Sequence, residues 1–250
     1  MAGERSGQSA TDGKRRCVVI AEDNAAIRDI LSTLLVRRGG FDVTAAEDGL
    51  AALESLRGLE ERDANGRRRL PVDLLVLDIM MPRMTGLDVL RALREEYGVL
   101  PTTMVISALD DEAHVAEALQ LGAIDYLLKP IDNAIFLHRV HGLVEGADEA
   151  PFRWAPIAGR PVVMVGNGTT QARAISEAGI IVQCPSREAP AIDEVVPLAS
   201  PIFAEIGVPR QLRGRVVRTT DVGVRTVVEL WFVGLRARDA HDIRRYAISR

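Results

Sequence analysis

The residues best suited to chemistry in this sequence stand at the ends of short apolar runs. Glu22 and Asp23 follow one run, Asp78 and Ser107 each end another, and Lys129 closes a fourth. Runs of this length, separated by segments with helical periodicity, are typical of buried parallel strands. Parallel strands present their carboxyl ends at one edge of a sheet, and ligands bind at that edge in open α/β folds. The sequence therefore predicts that these five side chains share one site.

The residue types at this predicted site indicate metal-assisted phosphoryl chemistry. Three carboxylates at one sheet edge repel one another, and Mg²⁺ suits such an oxygen-only site because it keeps several waters. Beside the cation, the Asp78 carboxylate can act as a nucleophile toward a phosphoryl group and form an acyl phosphate. Lys129 and the Ser107 hydroxyl would then offset the negative charge that spreads over the transferred group. We therefore predict Asp78 as a phosphoryl acceptor.

Each of these residues also has an ordinary structural interpretation. Glu22 and Asp23 could be an acidic pair favoured by a helix N-terminus. Asp78 could be a capping or turn acid, Ser107 a strand-end hydroxyl and Lys129 a solvated turn residue. The coincidence of all five at strand ends favours the common site.

Residues 17–144 alternate strands and amphipathic helices in five βα units, which predicts a doubly wound parallel sheet. The predicted strands are 17–21, 41–45, 72–77, 102–106 and 124–128, and the predicted helices are 25–37, 49–59, 86–96, 111–121 and 132–144. The charged stretch from Arg57 to Arg69 makes one connection long. We interpret it as a solvated helical extension or loop, with a partner-binding loop as the alternative.

Composition restricts the class of protein. The chain has 250 residues, 47% hydrophobic and 26% charged, which is enough for two domains, and its net charge of -4 gives no sign of nucleic acid binding. Residues 1–16 are polar, which predicts a disordered tail, and no run suggests membrane insertion. Cys17 and Cys184 show neither a disulfide framework nor metal-ligand spacing, so we expect a reducing, cytoplasmic environment.

The pattern changes after residue 144. Residues 145–156 are polar and interrupted by prolines, as in a linker, and residues 157–250 are rich in β-branched segments. Strands are predicted at 161–165, 180–183, 202–207, 214–219 and 225–233, and a helix at 239–249. We therefore predict a second domain that is a small antiparallel β-barrel with a C-terminal helix.

Residues 17–144 resemble the receiver domain of two-component response regulators. The resemblance rests on Glu22-Asp23-Asn24, Asp78-Ile-Met-Met-Pro82 with Gly86, Ser107-Ala108, and Gly122 to Pro130. It implies that Asp78 accepts phosphate from a histidine kinase or phosphotransfer protein. It also implies a Mg²⁺ site made by Glu22, Asp23, Asp78 and the backbone carbonyl of Met80.

The same resemblance implies a switch pair, in which Ser107 is drawn toward the phosphoryl oxygen and Tyr126 turns inward. The structural change caused by phosphorylation would alter the surface formed by residues 111–144, which lead into the linker. A homodimer driven by phosphorylation could form through the same surface. Tyr126 could instead be an ordinary half-buried strand aromatic. His138 and His141 could suggest a metal or pH sensor, but a surface or interface position fits better because no third ligand lies near.

Residues 151–250 resemble PilZ domains, which are six-stranded barrels, many of which bind cyclic di-GMP. The resemblance rests on Ile175 to Gly179 and on the closing strand and helix from Val227 to Tyr246. Arginine forks can clamp the phosphates of this ligand and stack on guanine. The candidate ligand-binding residues are therefore Arg153, Arg160, Arg173, Ser176 and Gly179.

The second half departs from the PilZ pattern at two positions. Ala174 stands where the second signature has Asp or Asn, and Ile157 stands where an arginine should follow Arg153 by four residues. The candidate arginines could therefore form a variant clamp or be solvated surface. We also interpret three further arginines as an exposed strand face rather than a nucleic-acid surface: Arg213, Arg215 and Arg218.

These patterns leave two functions for the second half. In one, phosphorylation controls a barrel that acts through contacts with a downstream protein. In the other, the barrel binds cyclic di-GMP and joins a phosphorelay to second-messenger signalling. Beyond Glu145 the sequence has no converging acids, nucleophile-base pair or phosphate loop, so we expect a signalling switch rather than an enzyme, without DNA binding.

Overall fold

The computed structural model describes residues 15–109, 112–145, 154–157, 159, 162–208 and 212–249. Most of the predicted tail and most of the predicted linker lie outside these residues. Arg16 lies inside them and forms an ion pair with Asp73, with 3.2 Å between the charged atoms. Within the described part of the chain, no helix is both long and apolar enough to cross a membrane.

The first half is a five-stranded parallel sheet flanked by helices, as predicted. Its strands are β1 (Cys17–Ala21), β2 (Asp42–Ala46), β5 (Leu74–Asp78), β6 (Thr103–Ser107) and β7 (Asp125–Leu128), and its helices are α1 (Ala25–Leu34), α2 (Gly49–Gly58), α3 (Gly86–Tyr97), α4 (Glu112–Leu121) and α5 (Asn133–Val144). The sheet order is β2-β1-β5-β6-β7. Each of the ten elements therefore overlaps the segment predicted for it.

The two faces of this sheet build two separate layers of core. Val19 and Leu75 point to the layer that includes residues of α2, α3 and α4, whereas Val18 and Val76 point to the layer that includes residues of α1 and α5. Neighbouring residues of a strand point to opposite faces, so a strand covered on both sides must be apolar throughout. This burial explains why the strands read as continuous apolar runs and why polar groups appear only at their ends.

The charged insertion does not extend helix α2 as predicted, since this helix ends at Gly58. The segment instead forms a hairpin of two short antiparallel strands, β3 (Glu61–Arg62) and β4 (Arg68–Arg69). The Asp63 carboxylate accepts hydrogen bonds from the backbone N–H groups of the turn that follows it. Arginines of this hairpin form ion pairs with nearby acidic residues, for example Arg68 with Glu60 at 2.6 Å.

The second half contains a closed antiparallel barrel of six strands with a C-terminal helix, which confirms the predicted fold class. The barrel strands are β9 (Val162–Val165), β10 (Gly168–Ser176), β11 (Gly179–Pro185), β12 (Val195–Ala199), β13 (Leu212–Val222) and β14 (Arg225–Val233), with α7 (Ala237–Ile248) at the end. The ring runs β11-β14-β13-β12-β9-β10 and closes by pairing of β10 with β11. A short strand, β8 (Ala155–Pro156), adds to β10 at its edge.

One predicted strand of the barrel is a helix, and two barrel strands were not predicted. The segment 202–207 forms α6 (Pro201–Ile206), which starts at a Ser200 cap and ends at Gly207 with φ of 92°. Its apolar side chains are buried at helical spacing, as Ile202, Phe203 and Ile206. Strand β10 was missed because its alternation of small, polar and apolar residues is a weak signal, and β12 because it is short and contains Pro197.

Candidate functional site

The predicted acidic cluster lies at the carboxyl edge of the parallel sheet. Asp78 is the last residue of β5, and Glu22 and Asp23 follow directly after β1. One carboxylate oxygen from each of the three lies within 4.8 Å of the others. Glu22 and Asp78 are buried, whereas Asp23 is exposed and faces the solvent side of the cluster.

Lys129 projects into this cluster from the end of β7. Its Nζ lies 2.6 Å from Asp78 Oδ2 and 3.0 Å from Glu22 Oε1. Burial opposes the lysine charge, but the hydrogen bonds to Asp78 and Glu22 outweigh it and raise the pKa of Lys129. Lys129 is therefore a fixed cation at the carboxylate that was predicted to react.

Negative charge remains in excess at the site. Burial raises the pKa of Glu22, and the neighbouring Asp78 charge adds to this effect, although the hydrogen bond from Lys129 opposes it. One lysine faces three carboxylates, so a divalent cation would balance the remaining charge. The all-oxygen donor set also suits Mg²⁺. The residues present therefore fit the predicted metal.

The loop after Asp78 is held close to the end of β5. The Met80 backbone N–H donates to Asp78 Oδ1 at 3.1 Å, and the Gly86 N–H donates to the Ile79 carbonyl at 3.0 Å. A methyl group placed at Gly86 would overlap the Asp78 carbonyl oxygen. Glycine at this position therefore lets the start of α3 approach the backbone of the acceptor residue.

Ser107 and Tyr126 are joined through the backbone of Leu109. The Ser107 Oγ accepts a hydrogen bond from the Leu109 N–H at 3.1 Å, and the Tyr126 hydroxyl donates to the Leu109 carbonyl at 2.8 Å. Tyr126 is fully buried rather than half-buried. Its ring already packs in the receiver core, next to the segment that follows Ser107 at the end of β6.

His138 lies where α5 contacts the barrel. The sequence had favoured such a surface or interface position over a metal site. Its ring packs on the indole of Trp231 in β14, with 4.7 Å between ring centroids. His141 packs on Phe41 and pairs with Glu145 at 2.9 Å. Among the described residues, the only clustered set of three metal-ligating side chains is the acidic one at the sheet edge.

The structure describes three of the five candidate nucleotide-binding residues of the barrel, which are Arg173, Ser176 and Gly179. Arg153 and Arg160 lie outside the described residues. Arg173 donates a hydrogen bond to Gln183 on the neighbouring strand, and Ser176 is buried and accepts one from the backbone of the following turn. A methyl group at Gly179 would overlap the backbone of β14. Arg173, Ser176 and Gly179 thus make contacts within the barrel itself.

The prediction of an exposed arginine face on β13 was wrong for one residue. Arg215 is 3% exposed and lies over the Trp231 ring of β14, close to Asp125 and Arg139 of the first domain. A buried ion pair between Asp125 and Arg139, at 2.6 Å, lies in the same region and was also missed. The sequence signal for a covered face was Trp231. Alternation places this large aromatic on the outer side of β14, where a barrel exposed to solvent carries polar residues.

Comparison with known proteins identifies the first half of the chain. Residues 18–141 match the family model of the response regulator receiver domain. The DNA-binding response regulator MtrA of Mycobacterium tuberculosis is 33% identical over 147 residues, which are 59% of this chain and 58% of MtrA. The alkaline phosphatase synthesis transcriptional regulatory protein SphR of Synechococcus elongatus is 36% identical over 134 residues, which are 54% of this chain and 51% of SphR.

A solved receiver domain of a Francisella response regulator is also similar. It is 29% identical, with a TM-score of 0.45, and the match covers 54% of this chain and 100% of that domain. The chain spans little more than half the length of the curated relatives it matches. Proteins with such domains are switches of two-component systems. Residues 18–141 of this chain are a response regulator receiver domain.

Proposed function

We propose that this chain is a two-component response regulator that is phosphorylated on Asp78 and acts through its barrel. The phosphoryl donor is a histidine kinase or a phosphotransfer protein, the partners with which receiver domains interact. The observation that carries the proposal is the contact of 2.6 Å between Lys129 Nζ and Asp78 Oδ2 inside the acidic cluster. The Lys129 ammonium is therefore already positioned to stabilise negative charge when a phosphoryl group binds at Asp78.

In the proposed reaction, an oxygen of Asp78 forms a bond to phosphorus while the bond from phosphorus to the donor's imidazole nitrogen breaks. The nitrogen keeps the electron pair of that bond. Glu22, Asp23, Asp78 and the Met80 carbonyl would hold Mg²⁺, which supplies charge neutralisation when bound. Lys129 would pair with a phosphoryl oxygen, and the Ser107 hydroxyl would donate a hydrogen bond to another.

The response to phosphorylation would run through Ser107 and Tyr126. If the Ser107 hydroxyl turns toward the phosphoryl group, its hydrogen bond from Leu109 must change. Leu109 also holds the Tyr126 hydroxyl, so both contacts respond together. Such a local charge event can bias a bistable element of the structure. The output face would comprise α4, β7 and α5, and a homodimer through it stays a prediction.

We propose that the barrel acts through protein contacts rather than through cyclic di-GMP. The internal pairing of Arg173 and the burial of Ser176 support this choice, because neither side chain is free to clamp a phosphate. The DNA binding stated in the name of MtrA belongs to that protein, of which the matched region is 58%. The described part of this chain places a barrel in its second half.

The test is phosphorylation by a small phosphoryl donor, such as acetyl phosphate, in the presence of Mg²⁺. Phosphate-affinity electrophoresis should show a shifted band for the full chain and none for Asp78→Asn. Asp29→Asn is the matched control, since Asp29 is an exposed acid on α1 outside the cluster. A shifted band that persists at the usual level in Asp78→Asn would refute the assignment.

A further inference from the structure

A pocket lies between the receiver and the C-terminal helix of the barrel. On the receiver side it is lined by the end of β7 and the start of α5, and on the barrel side by α7 and the segment before it. Its volume is about 190 Å³. Most of the wall is apolar, with side chains from Leu127, Ile131, Ile135, Leu235 and Ala240. Apolar walls with a few polar groups are the usual form of a site for a small molecule.

The size of this pocket limits what it can enclose. An apolar protein cavity of about 150 Å³ binds benzene, whereas drug-sized ligands occupy pockets of about 300–1,000 Å³. A volume of about 190 Å³ has room for one small ring or one branched chain together with a single polar group. The pocket is therefore too small to enclose a nucleotide.

The most deeply buried polar side chain of the pocket is Arg139, which is 2% exposed. Its Nη1 pairs with Asp125 at 2.6 Å, and its Nη2 donates a hydrogen bond to the Phe232 carbonyl. Among the residues that the structure describes, the Arg139 Nε has no hydrogen-bond partner although it is buried. Nearly all buried polar groups have such a partner. Arg139 therefore retains one N–H donor for a molecule in the pocket that it lines.

Positive charge is in excess around Arg139. Arg215 is also buried, and burial lowers its pKa, with a further contribution from the nearby Arg139 charge. The acids that oppose this effect are Asp125, which is buried, and Asp193, whose side chain is 62% exposed. Two buried arginines thus share one buried aspartate. Such a surplus favours an anion close to the arginines.

A third arginine stands at the mouth of the pocket. His241 is exposed and the Arg244 side chain is half-exposed, so these two residues mark the open end. The Arg244 Nε donates to Glu177 at 3.1 Å, whereas its Nη2 lies 3.6 Å from Asp132, too far for a hydrogen bond. Ion pairs at such exposure are weak. The Arg244 guanidinium is therefore free to turn toward a bound molecule.

We propose that this pocket binds a small carboxylate with an apolar body, either an aromatic acid or a branched-chain acid. The carboxylate accepts a hydrogen bond from the Arg139 Nε, and its charge balances the surplus of the two buried arginines. The apolar body contacts the wall, and the Arg244 guanidinium covers it at the mouth. A molecule held there touches both domains, so it would give the chain a chemical input that does not depend on phosphorylation of Asp78.

Calorimetric titration of benzoate into the full chain is the first test. We expect saturable binding with a Kd on the order of 1 mM or lower, since a ligand of this size makes few contacts. Benzamide has nearly the same shape but no charge, so it should bind about tenfold more weakly. Equal affinities of the two would overturn the assignment to a carboxylate. If neither benzoate nor 3-methylbutanoate binds at up to about 10 mM, the proposal fails.

Tryptophan fluorescence can locate the bound probe. The chain has two tryptophans, Trp154 and Trp231, so Trp154→Phe leaves Trp231 as the only one. Trp231 precedes Phe232, whose carbonyl accepts the hydrogen bond from Arg139, and its ring packs on His138. Benzoate should therefore change the Trp231 emission with the same midpoint as the heat. A different midpoint would assign the heat to another site and count against the pocket.

Two variants of α7 test the wall and the mouth. Ala240→Leu fills the pocket, so it should weaken benzoate binding about tenfold while the far-ultraviolet circular dichroism stays unchanged. Arg244→Gln removes the cation at the mouth and should weaken binding about threefold. Arg245→Gln is the matched control, because Arg245 is the exposed neighbour on the same helix and does not line the pocket. Unchanged affinity in both Ala240→Leu and Arg244→Gln would overturn the site.

Arg139→Lys tests the buried donor. The lysine keeps a positive charge beside Asp125 but lacks the Nε donor, so benzoate should lose more affinity than benzamide. A purely structural role of Arg139 would weaken both probes equally, and that result would contradict the contact with the carboxylate. If circular dichroism shows that this variant does not fold, Ala240→Leu and Arg244→Gln decide the proposal.

Discussion

Lys129 Nζ lies 2.6 Å from Asp78 Oδ2, although 51 positions separate the two residues in the chain. The contact forms because β5 and β7 are parallel strands of one sheet, and each side chain stands where its strand ends. A buried carboxylate and a half-buried cation interact strongly at this distance, and the hydrogen bond to Asp78 contributes to the raised pKa of Lys129. The geometry of the acceptor site is therefore tied to the integrity of the sheet.

Replacing Lys129 with Met should impair both phosphorylation and stability. The loss of the fixed cation should slow phosphorylation by acetyl phosphate roughly 100-fold, as for other electrostatic stabilisers. Leaving buried acids without their cation should also lower the free energy of unfolding, by about 3 kcal/mol. Timed electrophoresis and urea unfolding measure the two effects. A phosphorylation rate equal to that of the unmodified protein would contradict the role given to Lys129.

The excess negative charge predicts that Glu22→Gln is more stable than the parent chain when Mg²⁺ is absent. Since the folded state raises the pKa of Glu22, it disfavours the ionised form, and this penalty diminishes as pH falls through the raised pKa. An uncharged isostere should remove the penalty at pH 7, a gain on the order of 1 kcal/mol. Thermal unfolding with a chelator present would measure it, and a loss of stability would count against the excess charge.

Mg²⁺ should raise the unfolding temperature, and Asp23→Asn should weaken this effect. A ligand that binds only the folded state at 100 times its Kd stabilises by about 2.7 kcal/mol. Asp23 is exposed, so its replacement should leave the fold intact while it removes one oxygen ligand. The measurement is a Mg²⁺ titration followed by calorimetry. An equal Mg²⁺ response in both proteins would exclude Asp23 as a ligand.

Gly86→Ala should disturb the acceptor loop, because the added methyl group would overlap the Asp78 backbone and backbone atoms cannot simply rotate away. We expect a loss of about 2 kcal/mol in unfolding free energy and slower phosphorylation. Gly58→Ala is a close control, since a methyl group at that helix end meets nothing within 4 Å. Equal stabilities of the two variants would show that the close approach at Gly86 is unimportant.

Tyr126→Phe should remove the hydrogen bond to the Leu109 carbonyl and nothing of the ring packing. The expected cost is about 1 kcal/mol. Amide exchange near Leu109 should accelerate, and the Trp231 emission should become less sensitive to phosphorylation. Hydrogen exchange monitored by mass spectrometry would follow the first effect and fluorescence the second. If phosphorylation changes the emission as much as in the parent, Tyr126 does not connect the two domains.

Docking of the barrel should weaken in acid because of His138. Burial lowers the pKa of His138 to about 4, with contributions from the neighbouring Arg139 and His141, against an ordinary value of 6.5. The docked state keeps the ring neutral, whereas the undocked state takes up a proton below pH 6.5. Docking should thus be lost as pH falls from 6.5 toward 4, by up to tenfold in the equilibrium constant per pH unit.

The fluorescence of Trp231 in Trp154→Phe measures this transition. Charges near the ring also include Arg215 and Glu229 of the barrel, so a matched variant is needed. His138→Phe keeps an aromatic ring on the indole but cannot take up a proton. Its emission should not change with pH between 6.5 and 4. A transition of the same size in this variant would assign the pH dependence to other groups.

Sequence patterns predicted neither the hairpin of β3 and β4 nor helix α6. The insertion after Gly58 is mostly charged and has no apolar period that could distinguish helix, loop or hairpin. In the hairpin that it forms, the turn at Asp63 and ion pairs such as Arg68 with Glu60 connect the two strands. In α6, a short apolar segment suits either a strand or a helix. Its Ser200 cap and Pro201 were the available signals for a helix.

The sequence by itself determined the parallel sheet and the place of Glu22, Asp78 and Lys129 at its edge. Continuous apolar runs require burial on both faces, and parallel strands must end on the same side. Only the tertiary structure decided that Trp231 and Arg215 are buried against the receiver. Alternation along a strand tells which residues share a face, but it does not tell whether solvent or another domain covers that face.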